Sequence, residues 1–265
     1  MEKISWMVIT LTTDLGTRDH YAASLKGTLL TMLPGAVVVD ITHEIAHFNL
    51  LEAAFVAKSA CFKFPKGSVH IIGIDPEGGA RLGVVAMEQE GHFFVAPDNG
   101  VLSLIREGSA AEWVFVNVEH LPLSIHGRSF LVQNRLAPVA AALAGGALLE
   151  SLGTSGEIKE YRWGEPSFTE NSLRGVILHI DHFGNAITNV RKDPFMEIKG
   201  DKSFQIFIRN LRMQRIVGSY ADVAKGEALA LFSDNGHLEI AIREGSAAQL
   251  LGLKVQDMIT IEFYG

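Results

Sequence analysis

The residues of this sequence with chemistry to offer are first of all carboxylates at predicted strand ends. Asp14 directly follows the apolar run Met7 to Thr12, within Thr13-Asp14-Leu15-Gly16. Parallel sheets place ligand residues just beyond the C-terminal ends of their strands. A carboxylate there can accept two hydrogen bonds from a ribose diol or bind a metal; an aspartate serving only the strand-to-helix turn is the competing reading. Asp75 closes a second apolar run, in Ile74-Asp75-Pro76-Glu77-Gly78-Gly79-Ala80-Arg81. This glycine-rich turn lets Arg81 fold back toward Asp75, and an Asp–Arg pair can position a water and stabilise a developing hydroxide. The alternative is a tight turn with a surface ion pair, worth little. In Ser124-Ile125-His126-Gly127-Arg128, His126 can serve as a general base, because imidazole titrates nearest neutrality. With 10 histidines in the chain, a structural or solvated role for it stays open. Asp181-His182-Phe183-Gly184-Asn185 offers a ring that could stack on a base and an amide that could read an adenine edge, though Gly and Asn also serve turns for backbone reasons. His43, His47, His70 and His120 show no metal-ligand spacing and no HExxH occurs, so no metal is expected.

The elements that must hold these groups alternate in the first half of the chain. Met7 to Thr12, Val37 to Val39 and Val69 to Ile74 read as buried strands. Tyr21 to Leu33, stopped by Pro34-Gly35, and Leu50 to Phe62 read as helices between them. Such alternation predicts a mostly parallel sheet flanked by helices on both faces. Leu82 to Met87 and His92 to Ala96 form a predicted hairpin added to that sheet, and Ala137 to Leu149 a further helix. Ser151 to Asn171 gathers glycines, Pro166 and charges without periodicity. The expected division is an α/β N-terminal domain over 1–155, a linker over 156–171 and a smaller β-rich domain over 172–265. In the last of these, short runs separated by glycine turns (Gly175 to Ile180, Ala186 to Val190, Ser203 to Ile208, Ala228 to Phe232, Leu238 to Ile242 and Met258 to Phe263) predict an antiparallel barrel or sandwich.

Composition narrows the function. Hydrophobic residues make up 48% and charged residues 20% of 265, the balance of a folded protein rather than a disordered one. The net charge of −7 argues against a nucleic-acid partner gripped by a broad basic face and favours a small molecule. Cys61 is the lone cysteine, so no internal disulfide can form and a reducing cytoplasm is expected; within Ala60-Cys61-Phe62 it reads as a buried, inert thiol. The first residues show neither a signal-peptide pattern nor an apolar run of membrane-spanning length, so no membrane association is expected.

Taken in order, the motifs resemble the S-adenosylmethionine (SAM) hydroxide adenosyltransferase family, which shares its fold with SAM-dependent fluorinases and chlorinases. The resemblance runs from Ile9 to about Glu262. Its N-terminal part comprises Thr13 to Gly16 with Asp19 and Tyr21, Val39-Asp40-Ile41-Thr42-His43, Pro97-Asp98-Asn99-Gly100 and His126-Gly127-Arg128. Its more distinctive C-terminal part comprises Asp181 to Asn185 with Thr188-Asn189, Gly236 to Ala241, and Gly245 with Ala247-Ala248. The single motifs are short; the ordered set is specific.

The resemblance implies hydrolysis of SAM to adenosine and L-methionine by water attacking C5′, with no cofactor. Asp14 would hold the ribose hydroxyls and Phe48 would pack on the ribose. Phe183 and Asn185 would contact adenine and Asp181 the methionine ammonium. Asp234 and Asn235 fall where the family binds the methionine end, although Ser is commoner there. Asp75, Arg81 and His126 match the set with which family hydrolases activate water. The resemblance further implies homotrimers with SAM bound between subunits. Two departures flank the water site that the resemblance implies: Glu77 replaces a glycine in a loop one residue shorter, and Ser129 to Leu136 lengthen the path to Ala137-Pro138. A non-catalytic SAM or adenosine sensor is therefore one alternative. Halogenase is another, disfavoured because those enzymes lack the acidic and histidine members of the set. A Mg²⁺-dependent phosphatase on Asp14 lacks a second carboxylate at useful spacing.

Overall fold

The computed structural model describes residues 7–76, 83–106, 111–118, 121 and 129–265. The chain divides into two compact units between Arg162 and Trp163.

The N-terminal unit begins with β1 (Val8–Thr13), α1 (Tyr21–Met32), β2 (Val37–Thr42), α2 (Leu50–Ala60) and β3 (Val69–Gly73). It continues with β4 (Val84–Gln89), β5 (His92–Pro97), α3 (Val101–Ile105), β6 (Glu112–Val116), α4 (Ala137–Ala144) and β7 (Gly153–Thr154). Strand order is β2-β1-β3-β5-β4-β6-β7. The pairs β1–β2, β1–β3 and β3–β5 are parallel, whereas β4–β5, β4–β6 and β6–β7 are antiparallel. The sheet is thus mixed, not mostly parallel. The reason lies in the expected hairpin: Glu90 and Gly91 both adopt positive φ, 55° and 83°, the two-residue turn that matches strand twist. So short a turn forces β4 to run against β5, while β5 itself docks parallel on β3 and lies inside the sheet. β2 is an edge strand with Val37 exposed, where a buried strand was expected.

Helices cover both faces. Ile9, Leu11, Val69 and Ile71 point to one face, where they meet Leu25 and Leu29 of α1 and Ala137 and Ala140 of α4. The alternate residues Thr10, His70 and Phe94 point to the other and meet the segment leaving α2: Phe62 packs at a tilt against Phe94, and Phe64 meets His70 edge-on. Helix ends follow local chemistry. Asn49 caps α2, its side-chain oxygen accepting from Glu52 N at 3.1 Å and its Nδ2 donating to Glu52 Oε2 at 3.1 Å; such a cap contributes about 1 kcal/mol. The helix expected over Ala137 to Leu149 stops at Ala144, because Gly145-Gly146 follows and Gly146 takes φ 95°.

Residues 156–162 lie along the N-terminal unit. Trp113 Nε1 donates to Gly156 O at 2.8 Å, Lys159 N donates to Asp98 Oδ1 at 2.9 Å, and Tyr161 N donates to Ser103 Oγ at 2.8 Å. Tyr161 packs so closely on Gly100 that a Cβ there would collide with its ring.

In the C-terminal unit follow β8 (Ser167–Thr169), β9 (Ser172–Ile180), β10 (Ala186–Arg191), α5 (Lys192–Lys199), β11 (Ser203–Ile208) and β12 (Leu211–Met213). Then come β13 (Ala228–Phe232), β14 (His237–Ile242), α6 (Ala247–Leu251) and β15 (Met258–Tyr264). All pairings in the order β12-β11-β15-β9-β10-β14-β13 are antiparallel, with β8 added on β9. The length of β9 lets its first half pair with β15 and its second with β10, so the sheet curls. Just past one edge strand, Val217 N donates to Ala230 O of the other edge strand at 2.9 Å, leaving a nearly closed, barrel-like sheet around Phe195, Ile206, Ile240 and Ile261.

Candidate active site

Parallel pairing aligns the C-terminal ends of β2, β1 and β3: Thr12 is level with Thr42 and Thr13 with Gly73. The segments leaving these strands, at His43, Asp14 and Ile74, therefore emerge side by side at one sheet edge. Asp14 Oδ2 accepts from Phe48 N at 3.1 Å. Phe48 holds φ 64°, a left-handed conformation that costs a bulky residue of order 1–3 kcal/mol. Its ring is 70% exposed, an apolar face presented to solvent beside a carboxylate. The structure thus brings together Asp14 and Phe48, which lie far apart in sequence.

Asp75 is a second left-handed residue, at φ 41°. Asn99, 1% exposed, pins its turn: Nδ2 donates to Ile74 O at 2.7 Å and reaches Asp75 O at 3.3 Å, while Oδ1 accepts from Val101 N at 3.1 Å. The backbone strain at Asp75 is held by a buried amide that uses both ends of its side chain. Asn99 stands in Pro97-Asp98-Asn99-Gly100, whose sequence alone does not disclose its task; its burial and its two carbonyl contacts give it a role in holding this turn. Arg81 and His126 lie outside the described residues.

In the C-terminal unit, Asp181 and Asn185 close the β9–β10 turn on each other. Asp181 Oδ1 accepts from Asn185 N at 2.8 Å and Oδ2 from Asn185 Nδ2 at 3.0 Å. Gly184, at φ 83°, lies where a Cβ would strike Ser246, so only glycine fits between them. Phe183 is left 74% exposed at the tip. Asp181, Phe183, Asn185, Tyr220, Arg243 and Gly245 help line a hollow of about 740 Å³, large enough for a nucleoside. Asp234 and Asn235 are exposed in the turn joining β13 and β14.

Tyr220 and Glu239 had no assigned role in the sequence. Tyr220 Oη donates to Glu239 Oε1. Burial raises the Glu239 carboxyl above its ordinary range, and the charge of Asp181 pushes it the same way against the lowering effect of the Tyr220 bond. Burial, then Glu239, Asp181 and Asp234, also raise the Tyr220 hydroxyl, so it stays protonated as the donor. Asp181 and Asp234 therefore act on one shared environment. A lone glutamate within the apolar run Leu238 to Ile242 is the signal that the sequence offers.

Among the described residues no group of three or more His, Cys, Asp or Glu side chains could hold a metal ion, and no helix is long and apolar enough to cross a membrane.

Two family models match the chain: the SAM hydroxide adenosyltransferase N-terminal domain over residues 9–153 and the C-terminal domain of the same family over 175–260. The chain belongs to the SAM hydroxide adenosyltransferase family. An (R)-S-adenosyl-L-methionine hydrolase of Methanocaldococcus jannaschii is 32% identical, with 96% of this chain and 95% of that protein aligned. A fluorinase of an Actinoplanes species is 26% identical over 96% of this chain and 97% of its own length. The crystal structure of a conserved protein from Thermotoga maritima superposes with a TM-score of 0.86 at 30% identity, covering 96% of this chain and 99% of that one. Asp14, Phe48 and Asp75 lie in the span of the SAM hydroxide adenosyltransferase N-terminal domain, and Asp181, Phe183, Asn185, Asp234 and Asn235 in that of its C-terminal partner.

Proposed function

We propose that this chain hydrolyses SAM to adenosine and L-methionine. The observation that carries the reading is full-length similarity, through both family domains, to proteins named (R)-SAM hydrolase. The chemistry is a displacement at C5′: a water oxygen bonds to carbon as the C5′–S⁺ bond breaks, and methionine leaves as a neutral thioether. The sulfonium already makes sulfur a good leaving group, so the protein has only to align water and take its proton. In this reading Asp75, Arg81 and His126 act on the water, Arg81 stabilising hydroxide character and His126 or Asp75 accepting the proton. Asp14 holds the ribose diol and Phe48 packs on the ribose. Phe183 and Asn185 contact adenine, and Asp181, with Asp234 and Asn235 nearby, receives the methionine end. The left-handed backbone of Asp75 supports a role beyond the turn, because strain of this kind concentrates at functional sites. No cofactor enters the displacement. We further propose a homotrimer in the cytoplasm, with SAM bound between subunits.

Incubation with SAM, read by chromatography, should yield adenosine and methionine in equal amounts. In ¹⁸O-water the label should appear on the 5′-oxygen of adenosine; unlabelled adenosine would exclude attack of water at C5′. The fluorinase relatives support one other reading, halide in place of water. A halogenated nucleoside formed in added fluoride or chloride, at the expense of adenosine, would favour it.

A further inference from the structure

Thr13, the last residue of β1, directly precedes Asp14, and His43 follows the neighbouring end of β2; neither enters the proposed reaction. His43 is 3% exposed, and its Nδ1 lies 2.6 Å from Thr13 Oγ1. Its Nε2 lies 3.2 Å from Asp40 Oδ1 on a skewed approach, and Lys26 Nζ donates to the other Asp40 oxygen at 2.7 Å. Burial opposes ionisation of Asp40, but the bond from Lys26 and the His43 imidazole close beside it outweigh burial and hold the carboxyl below its ordinary range. An ionised Asp40 can only accept, so the imidazole proton belongs on Nε2 and Nδ1 accepts from the Thr13 hydroxyl.

This side-chain bond closes a clasp made otherwise of backbone. Gly16 N donates to His43 O at 2.7 Å, and Ile45 N donates to Thr13 O at 3.3 Å. Thr13 Oγ1 also receives Leu15 N at 3.3 Å. One strand of the clasp carries Asp14; the other leads to Phe48, whose N–H holds Asp14 Oδ2. The orientation of the carboxylate thus depends on both segments keeping their spacing.

We propose that His43, through Thr13, is a positioning residue for Asp14, fixing the carboxylate in the orientation that receives a vicinal diol. The proposal rests on the reading of Asp14 as the ribose-diol acceptor. It goes beyond that reading by assigning the Thr13–His43–Asp40 chain to ligand discrimination rather than to packing alone.

The test compares affinities of the full-length protein for adenosine and 2′,3′-dideoxyadenosine by calorimetry; their ratio reports recognition of the diol. Asp14→Ala should collapse the ratio. His43→Ala and Thr13→Val should reduce it by about tenfold, the effect of one lost hydrogen-bonded partner, while Thr13→Ser, which keeps the hydroxyl, should retain it. A packing role would instead leave the ratio unchanged in every Thr13 and His43 variant, or penalise Ser as much as Val; either result overturns the proposal. If Asp14→Ala itself keeps the ratio, the Asp14 reading fails and takes the proposal with it. If Asp14→Ala loses the ratio and Thr13→Val keeps it, only the positioning role fails. The Val and Ser variants alter one or two atoms, so they carry the contrast even if His43→Ala does not fold.

Discussion

β1 carries two threonine–histidine pairs, and they do opposite work. Thr10 Oγ1 lies 2.8 Å from His70 Nδ1 in the middle of the sheet; Thr13 Oγ1 lies 2.6 Å from His43 Nδ1 at its C-terminal end. Both imidazoles are buried. The surroundings differ. His70 is packed by Phe64, Phe94 and His92, and its second nitrogen lies 3.1 Å from His92 Nδ1. Burial, with a smaller contribution from His92, pushes its pKa down to about 3, so it is a neutral core residue whose polar atoms are satisfied. His43 instead faces Asp40 and borders a segment bearing a carboxylate. The same pair of side chains is structural in mid-sheet and becomes a device for holding loops at the strand ends. Substitutions in mid-sheet and at the strand ends should therefore separate stability from activity.

The largest separation is expected at Asp75. Asn tolerates left-handed backbone and occupies the same volume, so Asp75→Asn should fold normally while losing the carboxylate proposed to act on water. Steady-state hydrolysis should show kcat lowered by roughly 10²–10⁴-fold, with SAM affinity much less affected. A variant with normal kcat would remove Asp75 from the chemistry. His70→Ala should do the reverse. It empties a fully buried site and strands both Thr10 and His92, for a loss of roughly 2–5 kcal/mol in chemical unfolding. Adenosine binding, measured at a temperature where the variant is folded, should stay near wild type; a selective loss of binding would break the distinction between mid-sheet and strand end.

Acid should act through the mid-sheet histidines. His70, and His92 through burial and Lys66 against the opposing charges of Glu90 and Glu88, have pKa values below those of the unfolded chain. Such groups bind protons more readily when unfolded, so their contribution is fully present above about pH 6.5 and falls as pH drops toward the folded values. His70 alone should contribute a slope of up to about 1.4 kcal/mol per pH unit in that window. Urea titrations at pH 7, 6 and 5 should show it, and His70→Gln should flatten the curve. A slope identical in wild type and variant would mean that other groups carry the acid sensitivity.

Much of this arrangement was legible in the sequence. The apolar runs Met7 to Thr12 and Val69 to Ile74 identify β1 and β3, and the carboxylates that follow them stand at the strand ends. The adjacency of Asp14 and Phe48 was implied only by family resemblance, since no local pattern reports that a backbone N–H 34 positions on will meet a carboxylate. The hairpin of β4 and β5 was readable from its turn, but not which of its strands docks on β3, because both are apolar. β8 lay hidden in a polar stretch; its three residues are all exposed, so no hydrophobic alternation marks it. His43 and His70 could not be told apart, because their difference resides in neighbours brought from other segments. Tyr220 and Glu239, separated by 19 positions, posed the same difficulty.

That last pair gives the smallest expected effect and extends the comparison to the other unit. Glu239 is buried as His70 is, yet it lies beside Asp181 as His43 lies beside the Asp14 segment, so it should show both behaviours weakly. Tyr220→Phe removes one hydroxyl and leaves a buried carboxylate without its donor. The expected loss is about 1 kcal/mol of stability at neutral pH, near the usual net worth of a hydrogen bond. Because the Glu239 pKa already lies above its unfolded value, protonation is favoured in the folded state, and the penalty should fade as pH drops through that raised pKa. The ring of Tyr220 also lines the hollow with Phe183, and Phe keeps the ring, so adenosine affinity should fall by severalfold at most. Urea unfolding at two pH values, paired with calorimetry, reads both quantities. A Tyr220→Phe protein as stable as wild type at neutral pH would show that Glu239 is satisfied without the hydroxyl. A loss of adenosine binding far exceeding the loss of stability would instead move Tyr220 from the wall of the hollow into direct contact with the ligand.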